Sequence, residues 1–239
     1  MSDAIKHECG VAMLRLLKPL DFYQKKYGSA FYGLNKMYLL MEKQHNRGQD
    51  GVGLANVKLD IPAEERYISR KRSVATNPIQ DVFKQVNRRF VELEASDPEK
   101  LKDPEWMKQN LPFTGELFLG HLRYGTFGGN TIEQCHPFLR QSNWKTRNVV
   151  LAGNFNMTNV DELVQQLVDL GQHPKQKADT VTILEKIGHF LDEANDEIYY
   201  KHKDDFSKKE ITKVIEEELD LQDILTQSAK YWDGGYVMC

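Results

Sequence analysis

The sequence has no apolar run approaching the ~20 residues that a membrane-spanning helix needs. Its first residues, MSDAIKHE, lack the apolar core of a secretory signal. Cysteine is scarce: Cys9, Cys135 and Cys239 are the only 3, and none shares a CxxC spacing with another. That excludes a disulfide framework and a thiolate-rich metal site, and it points to a reducing, cytoplasmic setting. No sign of charge dominates. Lys and Arg number 32 against 35 Asp and Glu, for a net charge of -3 and a pI near 6.2. Neither a nucleic-acid partner nor a membrane partner is expected on these grounds. The segment GVGLAN (51–56) lacks the third glycine and the following helix of a nucleotide fingerprint.

What is present is ordinary globular material, 40% hydrophobic and 28% charged over 239 residues. That suits one large domain or two small ones. Residues 9–17 read as a strand with apolar residues on both faces, as expected for a sheet covered on both sides. Residues 18–28 read as a loop or short helical insertion. Phe31, Leu34, Tyr38 and Met41 recur at helical spacing, so residues 31–43 are expected to form a core-facing helix. A glycine-bounded turn, QHNRGQDG (44–51), leads into a strand over 52–57. After residue 58 a strand and an insertion are expected. Val82, Phe83, Val86, Phe90 and Leu93 mark a helix there, and residues 95–110 look like a charged surface excursion. The clusters Arg70-Lys71-Arg72 and Arg88-Arg89 read as solvated faces.

Residues 115–124 form another expected strand, followed by the glycine-rich loop Gly125–Asn130. Cys135 and His136 read as packing residues, because neither has a metal-ligand partner nearby. A strand over 148–153 runs into a loop at Asn154. The spacing of Asn159 and Glu162 is that of a capping box for the next helix, and Asp179 stands where a helix cap belongs. Two amphipathic helices are expected near 211–219 and 221–231, and residues 236–239 look like the opening of a strand. A strand with nothing behind it suggests that a downstream domain is missing.

Several of these positions carry chemistry. Cys9 begins the first strand. Read alone, it is a small buried hydrophobe. If residues 1–8 were a propeptide and were removed, Cys9 would hold a thiol nucleophile and a free α-amine, which can act as its base. Arg123, at a strand end, can take a carboxylate in two parallel hydrogen bonds. The N–H groups and the Thr126 hydroxyl of the loop beside it can hold more of the same ligand. The Asn154 amide and the next backbone N–H can donate to an oxyanion. Asp179 can hold an ammonium if its helix start faces the site. Arg47 can leave its turn and reach a carboxylate or carbonyl nearby.

The ordered set Cys9-Gly10 with its apolar strand, QHNRGQDGVGLA, GHLRYGT, LAGNFNMTN, KADTVTIL and WDGGYVM spans nearly the whole chain. In this order it resembles the glutaminase domain of class II glutamine amidotransferases, and within them the amidophosphoribosyltransferase branch. The resemblance implies an α+β fold, the four-layer α/β/β/α sandwich of N-terminal-nucleophile hydrolases. It implies one domain over 9–239, and L-glutamine as substrate. It assigns Cys9 as the nucleophile, with Asn154 and the Phe155 N–H as the oxyanion hole. Arg123 takes the glutamine α-carboxylate and Asp179 its α-ammonium. Thr126 and Gly125 line the pocket, and Arg47 supports it.

Ammonia would pass to a phosphoribosyl pyrophosphate acceptor in purine biosynthesis through a phosphoribosyltransferase domain absent from this chain. Asp204-Asp205 lies in a polar setting and does not supply that domain's signature. No cofactor is expected in this chain, and Mg2+ only for the absent domain; a homo-oligomer is compatible with the reading. The sequence departs from the family in three places. Phe155 stands where the family has glycine, and a left-handed backbone there would strain it. Asn46 is an extra residue in the turn, and eight residues precede Cys9. The alternatives are a glutaminase serving a sugar-phosphate acceptor, a non-catalytic binding module, or another amidase of the same nucleophile class.

Overall fold

The apolar run after Cys9 folds as strand β1 (Gly10–Arg15), an edge of a four-stranded antiparallel sheet. The structure, a computed structural model, describes residues 8–125 and 131–239. After β1 come helices α1 (Leu20–Tyr27) and α2 (Tyr32–Lys43), then strands β2 (Gly51–Val57) and β3 (Ile68–Ser73). Helices α3 (Pro78–Ser96) and α4 (Pro104–Asn110) precede strand β4 (Leu117–Arg123). The sheet order is β1-β4-β2-β3, so β4 is central although it comes last.

The chain divides into two compact units. The first holds Met1–Pro137, Ala152–Asn154 and Met238–Cys239, and the second holds Phe138–Leu151 and Phe155–Val237.

In the first unit the strand alternation sorts the side chains by face. Val52 pairs with Leu122 and Leu54 with Gly120, placing these four on one face. Helix α2 covers that face with Leu34, Met37 and Met41, all buried. Gly120 admits the two methionines: a Cβ there would lie 2.7 Å from Met37 Cε and from Met41 Sδ. Tyr38 lies beside this stripe and meets the edge of Phe83 on α3 at 5.0 Å. Val82, Phe83, Val86 and Phe90 close the core from α3. Each fully buried large apolar side chain here contributes about 1.5–3 kcal/mol over its exposed state.

The second unit contains the ladder of β5 (Phe138–Arg140) with β6 (Val149–Leu151), and four helices. These are α5 (Val160–Asp169), α6 (Asp179–His202), α7 (Lys208–Glu218) and α8 (Leu221–Ala229). Helix α6 buries Ile183, Leu184, Ile187 and Leu191. Its polar side meets β5 through Arg140, which pairs with Asp192 and Glu185. A further ladder joins β7 (Gly153–Met157) to β8 (Gly234–Met238). The strand expected to open at residues 236–239 is present, but it runs from Gly234 to Met238.

Two local expectations are corrected. The stretch from Asn154 was expected as loop, yet Gly153–Met157 is strand, because β8 supplies it with a pairing partner. Asn159 precedes α5 but makes no capping bond. Its side chain instead donates to the Tyr231 carbonyl at 2.8 Å and accepts from Asp233 N–H at 3.3 Å. The capping box of this chain is at Ser207 and Glu210, opening α7.

Candidate active site

Sequence places Cys9 one residue before β1, and the register places it at the end of β4. Gly10 pairs with Leu122, so Cys9 lies where Arg123 ends that strand. The backbone N–H of Tyr124 donates to Cys9 Sγ at 3.4 Å. Burial raises the thiol pKa above its ordinary value. The Tyr124 N–H and the Arg123 cation oppose that shift, and the Glu8 carboxylate adds to it. At neutral pH the sulfur is therefore a thiol, and it needs a base to become a nucleophile.

Arg123 is buried and donates to Gln134 Oε1 at 2.8 Å. Its guanidinium lies against Gly125, where a Cβ would fall 2.9 Å from Nη1. The turn before β2 is clasped onto the same strand end. Asp50 N–H donates to the Arg123 carbonyl at 3.1 Å, and Asp50 Oδ2 accepts from Gly125 N–H at 2.8 Å. Gly48 lets the two backbones touch, since a Cβ on it would lie 2.6 Å from the Arg123 carbonyl carbon. Arg47 ends the short 3-10 turn His45–Arg47 and reaches a carboxylate, as its position suggested. That carboxylate is Glu8, at 3.3 Å and exposed, in the residue just before Cys9.

Beneath this end of the sheet, His121 and His136 stack with ring centroids 4.2 Å apart. Both are buried, and burial lowers both pKa values, that of His121 to about 4. The rings are therefore neutral. His121 Nε2–H donates to the Gly153 carbonyl at 3.1 Å, and His136 Nδ1 accepts from Gly153 N–H at 3.2 Å. Gly153 is thus held on both sides, and it fixes the backbone entering Asn154. Cys135 and His136 are packing residues, as expected, though His136 also positions this strand.

Among the expected site residues, Cys9, Arg123 and Gly125 come together in the first unit, with Arg47 near them through Glu8. Asn154 belongs to the same unit. Phe155 and Asp179 belong to the second. Asp179 is the first residue of α6 rather than its cap; Ala178 holds the cap position. Its Oδ2 accepts from Met157 N–H at 3.0 Å, two residues beyond Phe155. Phe155 lies in β7 and is not among the described non-glycine residues with positive φ, which are Asp60, Glu64 and Phe113. The strain that a left-handed backbone would impose on phenylalanine does not arise. Thr126 lies outside the described residues.

Sequence reasoning missed Tyr124, Asp50, Gln134 and His121. Asp50 carried a signal, a carboxylate between turn glycines, while the Tyr124 contribution is a backbone N–H with no sequence signature. Among the described residues no group of three or more His, Cys, Asp or Glu is placed to hold a metal. Among the same described residues no helix is long and apolar enough to cross a membrane.

Comparison with solved structures shows the fold first. The chain resembles glutamine phosphoribosylpyrophosphate amidotransferase from B. subtilis, solved with ADP and GMP, with a TM-score of 0.51 over 86% of this chain and 32% of that one, at 20% identity. It also resembles a structure titled the allosteric regulatory enzyme of purine biosynthesis, with a TM-score of 0.52 over 96% of this chain and 34% of that one, at 19% identity. The chain shares their fold, and its mix of helices and antiparallel sheets is α+β.

In sequence the chain is similar to proteins named amidophosphoribosyltransferase. It is 28% identical over 190 residues to the amidophosphoribosyltransferase of Methanocaldococcus jannaschii, covering 80% of this chain and 31% of that protein. It is 35% identical over 79 residues to that of Lacticaseibacillus casei, covering 33% and 40%. No family model matches the chain. The matches span 16–40% of the length of the curated relatives and 32–34% of the two solved chains.

Proposed function

We propose that this chain is the glutaminase part of an amidophosphoribosyltransferase, releasing ammonia from L-glutamine through a thioester on Cys9. The observation that carries the reading is the pairing of a half-buried thiol with the Tyr124 N–H and the Arg123 cation at one strand end.

Removal of residues 1–8 frees the Cys9 α-amine. That amine takes the thiol proton, directly or through one water, as the sulfur attacks the glutamine side-chain amide carbon. The carbonyl oxygen becomes an oxyanion, which accepts from the Asn154 amide and the Phe155 N–H. The tetrahedral intermediate collapses, the C–N bond breaks, and the amine returns its proton to the leaving group as ammonia. Water attacks the thioester in the same way, and glutamate leaves. Glutamine is gripped at its α-end by Arg123 for the carboxylate and Asp179 for the ammonium. Gly125 lines that pocket and Arg47 supports it. While Glu8 remains attached, the Cys9 nitrogen is an amide and provides no base.

Ammonia is destined for phosphoribosyl pyrophosphate, which requires a phosphoribosyltransferase domain beyond this sequence, with Mg2+ serving that domain. The relatives' shared name and the partial coverage of their length support that assignment. Covalent capture tests the glutaminase reading. A diazoketone analogue of glutamine should label Cys9 in protein that begins at Cys9, and excess glutamine should protect it. Labelling elsewhere, or labelling that glutamine does not slow, contradicts it.

A further inference from the structure

The two basic clusters of the sequence, around residues 70–72 and 88–89, meet at one cavity. It has a volume of about 640 Å3 and opens in the first unit between β3, α3 and the segment that follows α4. That size is typical of small-molecule sites. We propose that it binds a small phosphorylated anion, a molecule with two or more phosphate charges on a compact organic body.

Charge is the first argument. Lys58, Arg66, Lys71, Arg88 and Arg89 line the cavity against the carboxylates Glu65 and Glu92. Arg88 is held by Glu92 at 2.9 Å. Arg70 also lines the cavity, with its guanidinium donating to the Pro137 carbonyl at 3.1 Å, as Arg66 donates to the Ile68 carbonyl at 3.0 Å. An excess of cation remains, in a chain whose net charge is -3. Lys58 is buried at 4% exposure and donates to the Gln109 carbonyl at 3.4 Å; burial lowers its pKa, the Glu65 carboxylate opposes that shift, and the Lys108 and Arg66 cations add to it. Among the described residues Lys71 and Arg89 make no ion pair or side-chain hydrogen bond, and both are exposed. A merely solvated face would not gather cations from three distant stretches around one concavity, since like charges brought together repel.

Shape is the second argument. Val86, Leu111 and Phe113 give the cavity an apolar wall suited to an organic body. Phe113 has φ 62, a left-handed conformation that is unusual for a bulky residue. Its buried ring and the Thr114 hydroxyl, which donates to the Met107 and Leu111 carbonyls, hold that turn in place. Such strain concentrates at binding walls. A bounded concavity of this volume suits a small molecule better than a polynucleotide, which needs an extended basic track.

The proposal is independent of the glutamine reading. Its test is calorimetric titration of the full chain with tripolyphosphate and with ATP at near-physiological salt. Both should bind at one site with Kd below about 1 mM, and ATP more tightly. The double variant Lys71→Glu, Arg89→Glu should weaken both by about tenfold or more, with circular dichroism unchanged. If that variant unfolds, Arg89→Gln alone should weaken binding about threefold. No binding of either probe, or binding that the folded variants leave unchanged, overturns the proposal. Tighter binding of single-stranded RNA than of ATP would also overturn it, by making the surface a nucleic-acid site.

Discussion

Tyr124 offers its backbone N–H to the sulfur of Cys9 across 3.4 Å, and the buried cation of the residue before it, Arg123, acts on that thiol to lower its pKa. The end of β4 thus supplies two groups that favour thiolate, against a burial that favours thiol. Removing the cation tips that balance. Arg123→Gln should push the Cys9 pKa further up. Near pH 8, alkylation of Cys9 by iodoacetamide should then slow by about three- to tenfold, in proportion to the lost thiolate fraction. Equal rates in the two proteins would mean that the guanidinium does not act on the sulfur.

The two charged residues assigned to the α-end of glutamine should affect binding more than chemistry. Arg123→Ala and Asp179→Asn should each raise KM for glutamine by roughly 100-fold, with a smaller loss in kcat. A large fall in kcat at unchanged KM would remove either residue from the α-end role.

Gly48 is required by the approach of its turn to Arg123. Gly48→Ala puts a Cβ 2.6 Å from a backbone carbonyl carbon, where no side chain can move aside. We expect a loss of about 1–3 kcal/mol, read by denaturant unfolding. A neutral result would show that the turn relaxes freely.

The buried pair His121 and His136 makes stability depend on pH. The folded His121 pKa of about 4 lies below its ordinary value of 6.5, so between these values the unfolded chain binds the extra proton. Stability is therefore fully present above the unfolded pKa. It falls as pH drops from about 6.5 to 4, by an amount on the order of 3 kcal/mol from this residue. His136 adds in the same direction. Thermal unfolding across that window should show the slope, and His121→Gln should reduce it. A flat profile would mean that the pair is charged or exposed when folded.

The elements that read well from sequence were those with strong local periodicity. β1, β2 and β4 alternate or run apolar between turn glycines, and α2 and α3 repeat their apolar residues at helical spacing. β7 did not read well, because GNFNM has neither pattern and becomes strand only through β8, far along the chain. Asn159 misled for a related reason: its local capping signal lost to partners at Tyr231 and Asp233. Within the site, Cys9 and Arg123 stood out by residue type and position. Tyr124 acts through its backbone and His121 through a stack with a residue 15 positions on, and neither leaves a mark in the local sequence.

Phe155 separates this chain from the glycine of its resembled family, and its backbone is not left-handed. Phe155→Gly should therefore give no relief of strain. We expect a loss of about 0.5–1 kcal/mol from the added backbone freedom in a strand. A gain in stability would contradict the strand geometry.

The most direct test of the account is ammonia release from glutamine by three proteins: the chain beginning at Cys9, the same chain with Cys9→Ala, and the chain with residues 1–8 intact, each verified by intact mass. The account predicts turnover in the first only, with the other two lower by at least about 100-fold. Equal turnover with and without the leader, or turnover surviving Cys9→Ala, would contradict it.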